Sequence, residues 1–440
     1  MIRLSTTLVL TALSAFAAPP TFNKDVLPIL QKDCQACHRP GEVAPMSLLT
    51  YSDARPWAKA IKAATATRIM PPWFADPKIG HFSNERKLSP AEIATIAEWA
   101  DNGAPEGDAK DAPAPLKFHD GWNLKPDIIV EMPTDFQVPA TGTIEYQYML
   151  VKTNFPEDMW VVSAEMRAGN SKVLHHGEAW VRPPGSKWMA DAKPGVSYST
   201  GEMKKSGPGI EILGKFNPGL GAQTFDFGGS AKFVPKGSDI VFEAHYTTTG
   251  KAEPSRSSVG LVLAKNPPPS RYITGYGPTA NNLVLSPGDS NAEVVSEMTA
   301  VEESKLVYVQ PHMHLRGKDY EVRVVYPTGE SQTVFRGKFD FNWQLGYDLE
   351  KPVLLPKGTK VQGIAHFDNS ANNKFNPDPA KEVVWGLQNW EEMQNCFMGF
   401  IVDSKLDPEK LFIASGPSVL KRVTGASGPT IAAFEPRDTK

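Results

Sequence analysis

Nine histidines and three cysteines occur in 440 residues, and most of them fall into a few short groups. The first group is Cys34-Gln35-Ala36-Cys37-His38. Two thiols at this spacing can form thioethers with the vinyl groups of a haem, and the adjacent imidazole can reach the iron from the proximal side. A thioredoxin-like thiol pair and half of a zinc site are the competing chemistries; the histidine that follows at once favours haem c. An iron that shuttles electrons normally carries a second ligand, and a thioether raises its potential, so a methionine on a loop is expected. Met70 fits best, in Arg68-Ile69-Met70-Pro71-Pro72-Trp73, where the prolines stiffen the loop and Trp73 could pack on the porphyrin. Met46 in Ala44-Pro45-Met46 competes for the role, and His81 competes more weakly.

The remaining groups are His175-His176 after Val173-Leu174, His245 near the end of Ile240 to Tyr246, and Gln310-Pro311-His312-Met313-His314. Alternation along a strand puts His312 and His314 on one face, the geometry of a two-histidine metal clamp. His175 and His176 would point oppositely in a regular strand, so joint ligation needs a bend or a bulge, with His245 as a third imidazole. Imidazole combined with thioether suits copper better than magnesium or calcium. An isolated histidine is more often a hydrogen-bonded structural residue, and His119 and His366 are placed in that class.

The elements that must carry these residues change character along the chain. Up to about Glu106 the pattern is helical. Asn23 can cap a helix bearing Val26, Leu27 and Leu30, bent by Pro28. Ser89-Pro90-Ala91-Glu92 has the spacing of a capping box, followed by Ile93, Ile96 and Trp99 on the inward face and a stop at Asn102-Gly103. The Ala, Pro, Asp and Lys of residues 107–117 suit an extended, solvated linker. From Trp122 onward, short Val, Ile, Tyr and Phe runs broken by turn residues indicate antiparallel β-sandwiches. The expected organisation is a signal peptide (1–17), a small all-α cytochrome c domain (18–106), a linker (107–117), two all-β jelly-roll-like sandwich domains (118–282 and 283–425), and a tail (426–440).

At this point a resemblance becomes specific. Leu174-His175-His176, Phe242 to Tyr246, His312-Met313-His314-Leu315-Arg316-Gly317-Lys318 and Glu392-Met393-Gln394-Asn395 resemble, in content and order, pieces of the copper type II, ascorbate-dependent monooxygenases. That is the family of the peptidylglycine α-hydroxylating and dopamine β-monooxygenases, and the resemblance spans about residues 118–425. It implies two jelly-roll-like domains facing each other across a solvent cleft, with one copper on each. His175, His176 and His245 would hold the electron-storing copper, and His312, His314 and Met393 the copper that binds dioxygen. Residues 20–106 similarly resemble a small class I cytochrome c domain. Two departures matter. Gln310 stands where the peptide-amidating enzymes have a carboxylate-binding arginine, and Phe397 where they have a tyrosine, while Asn395 is kept. Losing a cation and a hydroxyl argues against peptidyl-glycine as substrate.

The balance of 46 basic against 49 acidic residues offers no basic stripe for nucleic acid. The run from Leu8 to Phe16, with Ala15-Phe16-Ala17 after it, reads as a secretory signal and points to a periplasmic or secreted location. It is too short for a membrane span, and no other segment approaches the required length. Two of the three cysteines sit in the haem motif, and Cys396 in Cys396-Phe397-Met398-Gly399-Phe400 is expected as a buried residue of a core strand. The functional expectation is a haem- and copper-containing monooxygenase acting with O2 on a small-molecule or peptide C–H bond, supplied by an external electron donor. The alternatives are a non-catalytic electron-transfer or copper-binding protein, and a cytochrome fused to carbohydrate or adhesion modules.

Overall fold

The computed structural model describes residues 18–118, 121–200, 211–406, 410–414 and 419–421, so the expected signal peptide, the expected tail and His119 lie outside the described residues. A π-turn, Phe22–Val26, leads into helix α1 (Leu27–Asp33), whose Leu27, Ile29 and Leu30 are buried. Pro28 falls in the first turn, where a missing N–H breaks no helical bond, so the expected bend has no cause there. Asn23 is not the cap: its side chain donates to the Gly107 carbonyl at 3.4 Å. Thr50 and Asp53 form a capping box at α2 (Tyr51–Ala54), and a 3-10 turn, Arg55–Trp57, passes the chain to α3 (Ala58–Ala66).

Helix α4 (Pro90–Asp101) follows its sequence signals closely. Ser89 Oγ accepts the Glu92 amide at 3.2 Å, and Glu92 Oε2 accepts the Ser89 amide at 2.7 Å. Such a box satisfies two amides that helix geometry leaves open. Gly103, at φ +83°, takes the left-handed conformation just past the helix end. Phe22, Leu30, Ile96 and Trp99, each at most 1% exposed, close the small core between the helices. Residues 107–117, expected as a solvated linker, are exposed apart from the half-buried Pro113, and the stretch just before them is tied to this unit. The Phe22 and Asn23 amides donate to the Pro105 and Glu106 carbonyls, both at 2.9 Å, and Gln31 Nε2 donates to the Ala114 carbonyl at 3.0 Å. Open amides at the start of a helix need acceptors, and a chain with prolines supplies carbonyls without competing donors.

Among the described residues, the helical unit comprises 18–40, 45–71 and 87–116, whereas 41–44 and 72–86 belong with the β-rich remainder. This corrects the expectation of one continuous domain over 18–106. Residues 74–83 extend a β-sheet system: Phe82 bridges Leu349, Ala75 bridges Gly337, and the Asp76 amide donates to the Arg336 carbonyl at 2.8 Å. Phe82 and the half-buried Trp73 enter the apolar core beside Tyr347.

The β-rich part is built of sandwich sheets with few helices, as the strand texture implied. A five-stranded sheet in the order Ser197–Ser199, Gln147–Val151, Asp239–Tyr246, Leu174–Arg182, Glu211–Phe216 covers one core, which includes Val161, Ala164, Phe242 and Val259. A six-stranded sheet containing Ala292–Ala300, Gly317–Val325, Ser331–Lys338 and Lys360–Phe367 covers a second core around Val322, Phe335 and Phe400. A single nine-stranded sheet backs both. Its strand Ser270–Tyr276, assigned by sequence to the first sandwich, pairs antiparallel with Gln394–Asp403 of the second through seven registered partners. The sheet therefore runs on across the boundary expected near 282. Hydrogen-bond continuity between distant strands leaves no local composition signal, which is why the sequence could suggest a boundary there. Cys396 is fully buried in the second core, as expected.

Candidate metal centre

One face of the five-stranded sheet is core, with Met149, Ala179, Val181, Ile240 and Phe242 turned into it. Alternation sends their neighbours to the other face, where the register lays out cross-strand rows. One row is apolar: Leu150, Val241 and Trp180. The next is Tyr148, Glu243, Glu178 and Lys215, consecutive partners across four strands. The third holds the partners His245 and His176, with Tyr146 stacked on His245 at 4.6 Å.

The bulge demanded by adjacent histidines is present at the expected place. His245 pairs with His176 and Tyr246 pairs with Leu174, leaving His175 as the extra residue. A bulge re-aims one side chain, so neighbours that a regular strand would separate can serve one site. One ligand atom from each of His175, His176 and His245 lies within 4.8 Å of the others, and this cluster could hold a metal ion. His175 Nδ1 and His176 Nδ1 are 2.9 Å apart. Cis ligands on one ion show that spacing when each metal–nitrogen bond is about 2.0–2.1 Å. His245 Nδ1 is buried and makes no hydrogen bond, which is costly without a ligand to satisfy it. The hydroxyl of Tyr146 lies 2.9 Å from His176 Nε2 and orients that ring from behind.

The second group lies on the neighbouring sandwich. His312, 6% exposed, and His314, 1% exposed, have ring centroids 5.4 Å apart. Gln344 Oε1 lies 2.6 Å from His312 Nδ1, and the Glu391 carbonyl 3.3 Å from His314 Nδ1. With Nδ1 donating in each case, both Nε2 atoms are left for a metal, the usual second-layer arrangement. Met393 lines a cavity together with His312 and Asn395 and is absent from the apolar cores. The two groups are neighbours: His176 and His312 have centroids 6.2 Å apart, and Phe341 contacts both His175 (4.8 Å) and His314 (6.5 Å). The cavity beside them, about 400 Å³, is lined by Tyr148, Glu178, Glu243, Tyr276, Trp385 and Phe397 among others.

Burial holds these imidazoles neutral. His175 and His245 are pushed down to about 4 by desolvation, His312 to about 4 despite the Gln344 bond, and His314 to about 3; burial, with its histidine neighbours adding to the effect, drives His176 well below the ordinary value. Metal binding requires the unprotonated ring, and an exposed histidine begins to lose it below about pH 6.5. Here the rings stay neutral until pH approaches 4, so protons do not compete above that. The expected outcome is a metal affinity at the three-histidine cluster that changes by less than about threefold between pH 7.5 and 5.5 and collapses toward pH 4. Copper titrations at stepped pH check it, and a hundredfold loss by pH 5.5 would contradict the assigned burial.

In the helical unit, no disulfide joins Cys34 to Cys37. Burial, with Asp33 and Cys37 adding to it, pushes the Cys34 thiol up to about 12, which disfavours the free thiolate of a reactive redox pair. His38 Nδ1 lies 3.2 Å from the Met46 carbonyl, so with Nδ1 donating its Nε2 is left for a ligand. The same contact ties the Met46 backbone behind His38, and the Met46 side chain packs on the helical core. Met70 is half-buried and lies outside that core. Trp73, expected against the porphyrin, packs on Tyr347 (4.8 Å) and Phe82 (5.9 Å) of the β-rich unit. His81 is exposed in the same segment, 72–86, outside the helical unit. His366 is structural, with Nδ1 2.6 Å from Asp319 Oδ1.

Several residues of the centre went unread in the sequence. Glu178 and Glu243 each stand two positions from a histidine on the same strand face, a signal that period-two counting could have found. Lys215 could not have been found this way. It donates to Gln310 Oε1 at 3.1 Å and its Nζ sits 3.5 Å from the Phe397 ring centroid, so a basic side chain from a distant strand stands beside both residues. Burial pulls Lys215 down to about 7, with Glu178 opposing.

No family model and no curated protein matches this chain. Among solved structures, the VP2 subviral particle of infectious bursal disease virus is 7% identical, covering 67% of this chain and 78% of that one at a TM-score of 0.19. The structure of the Gx strain of the same virus is 9% identical, covering 67% and 79% at a TM-score of 0.17. Likeness at that level bears on neither the fold nor the function. Among the described residues, no helix is long and apolar enough to cross a membrane.

Proposed function

We propose that this chain is an exported haem- and copper-containing monooxygenase similar to the copper type II, ascorbate-dependent enzymes. In this reading a small all-α cytochrome c domain precedes two jelly-roll-like sandwiches. Cys34 and Cys37 attach the haem, with His38 and Met70 as axial ligands. His175, His176 and His245 hold one copper, and His312, His314 and Met393 hold the other. Bound copper would supply the one-electron chemistry that reduces O2 and attacks a C–H bond, and the haem a path for electrons from an external donor. The protein's own part is to orient and to exclude water. Tyr146, Gln344 and the Glu391 carbonyl fix ring orientation, and the aromatic walls of the cavity leave about 400 Å³ for a substrate.

The observation that carries the proposal is the bulge at His175, which gathers three imidazoles into one cluster whose His176 ring stands 6.2 Å from that of His312. Structural histidines have no need of a bulge that leaves a ring nitrogen buried without a partner. The test is metal analysis and electron paramagnetic resonance on the purified holoprotein, combined with O2 uptake under ascorbate. Two coppers beside one haem, with product formed from a screened substrate, support the proposal. Two coppers with no O2 consumption would indicate a charge-storing protein, and haem alone after copper reconstitution would overturn the copper sites altogether.

A further inference from the structure

Glu392 is fully buried and spends its carboxylate on backbone amides alone: Oε2 accepts from His314 N–H at 2.8 Å and from Met393 N–H at 3.0 Å, and Oε1 accepts from Arg316 N–H at 2.7 Å. The nearby Arg316 guanidinium makes no hydrogen bond to this carboxylate: its Nε donates to Asn369 Oδ1 at 2.8 Å and its Nη1 to the Trp390 carbonyl at 3.0 Å. Burying a carboxylate is expensive, and the three backbone donors offset only part of that cost, since burial still pushes the carboxyl up to about 8. Their placement is informative. The antiparallel pairing of Ser304–Met313 with Gln394–Asp403 ends at Met313 and Gln394. The next residues would be His314 and Met393, and there one carboxylate oxygen, shared by both amides, takes over from the ladder.

We infer that Glu392 is the positioning residue of the His312, His314 and Met393 centre, coupling the imidazole of one strand end to the thioether of the other. A ligand set of two imidazoles and one thioether selects a soft, low-charge ion such as Cu(I), provided the sulfur is held against the rings. Met393 has three freely rotating side-chain bonds and follows the register of its backbone, so the amide bond to Glu392 is what fixes its starting point. The inference rests on the metal reading of these three residues and adds the group that makes them one site.

The test is Glu392→Gln in full-length holoprotein, read by competition for Cu(I) against a chromogenic chelator. The carboxamide keeps the shape, but its NH2 cannot accept, so at least one of the three amides loses its partner. In a His175→Ala background, which reports the His312 centre, affinity should fall about tenfold to a hundredfold, the usual cost of removing an outer-layer partner. In a His312→Ala background, which reports the three-histidine cluster, the same substitution should change affinity by less than about twofold. Equal losses at both sites, or none at the His312 centre, would overturn the inference. Should Glu392→Gln fail to fold, Glu392→Asp keeps the charge while withdrawing the oxygens, and the same one-sided loss is required of it. If the His175→Ala protein with Glu392 intact takes up no Cu(I), the metal reading itself falls and the inference with it.

Discussion

With His312 replaced by alanine, the protein is expected to retain the copper of the three-histidine cluster, lose the other, and form product at a rate lower by on the order of a thousandfold or more. The size follows from what a metal contributes to a reaction, several kcal/mol of barrier, at 1.36 kcal/mol for each tenfold. His312 is the ring at 6.2 Å from His176 and is fixed from behind by Gln344, so removing it takes away a ligand and leaves Gln344 Oε1 buried near an empty space. The strand itself should survive, because Val307, Val309 and Met313 anchor it in the core without help from the imidazole. The distinguishing measurement is copper content beside O2 uptake. Loss of one copper with loss of uptake supports the assigned role; full uptake with one copper remaining would place the chemistry at the other cluster.

Met70→Ala is expected to slow reduction of the bound copper by a haem-linked donor by at least about tenfold while leaving ascorbate-driven turnover nearly intact. Loss of a thioether ligand lowers the haem potential and opens a coordination position, and both disfavour electron uptake. Met46→Ala is the informative companion. The Met46 carbonyl serves His38, and a backbone atom survives the substitution, so axial ligation should persist and only core packing should suffer. Haem absorption and resonance spectra of the two variants separate the roles. An axial change in Met46→Ala but not in Met70→Ala would reverse the assignment, and equal loss of turnover with either electron source would argue against the haem as an inlet.

The helical segment was readable because its signals are local. Ser89, Pro90 and Glu92 lie within one turn of each other, and their bonds form whatever the rest of the chain does. Strand texture was equally visible, and so were the requirement for a bulge at His175-His176 and the burial of Cys396. What stayed hidden has one shared reason: the packing of Trp73 on Tyr347 and the pairing of Ser270–Tyr276 with Gln394–Asp403 join residues far apart in sequence.

The sequence by itself determined which chemical groups are available and on what local element each rides: thiols and an imidazole after a helix, and histidines at strand positions of known parity. Local covalent spacing and backbone periodicity suffice for that. Only the tertiary structure decided that the two histidine groups are neighbours, that Lys215 comes to stand beside Gln310 and Phe397, and that Glu392 joins His314 to Met393. Those relations depend on which strands pair and in what register. That choice is made by burial of apolar faces summed over whole sheets, which no short stretch of sequence displays.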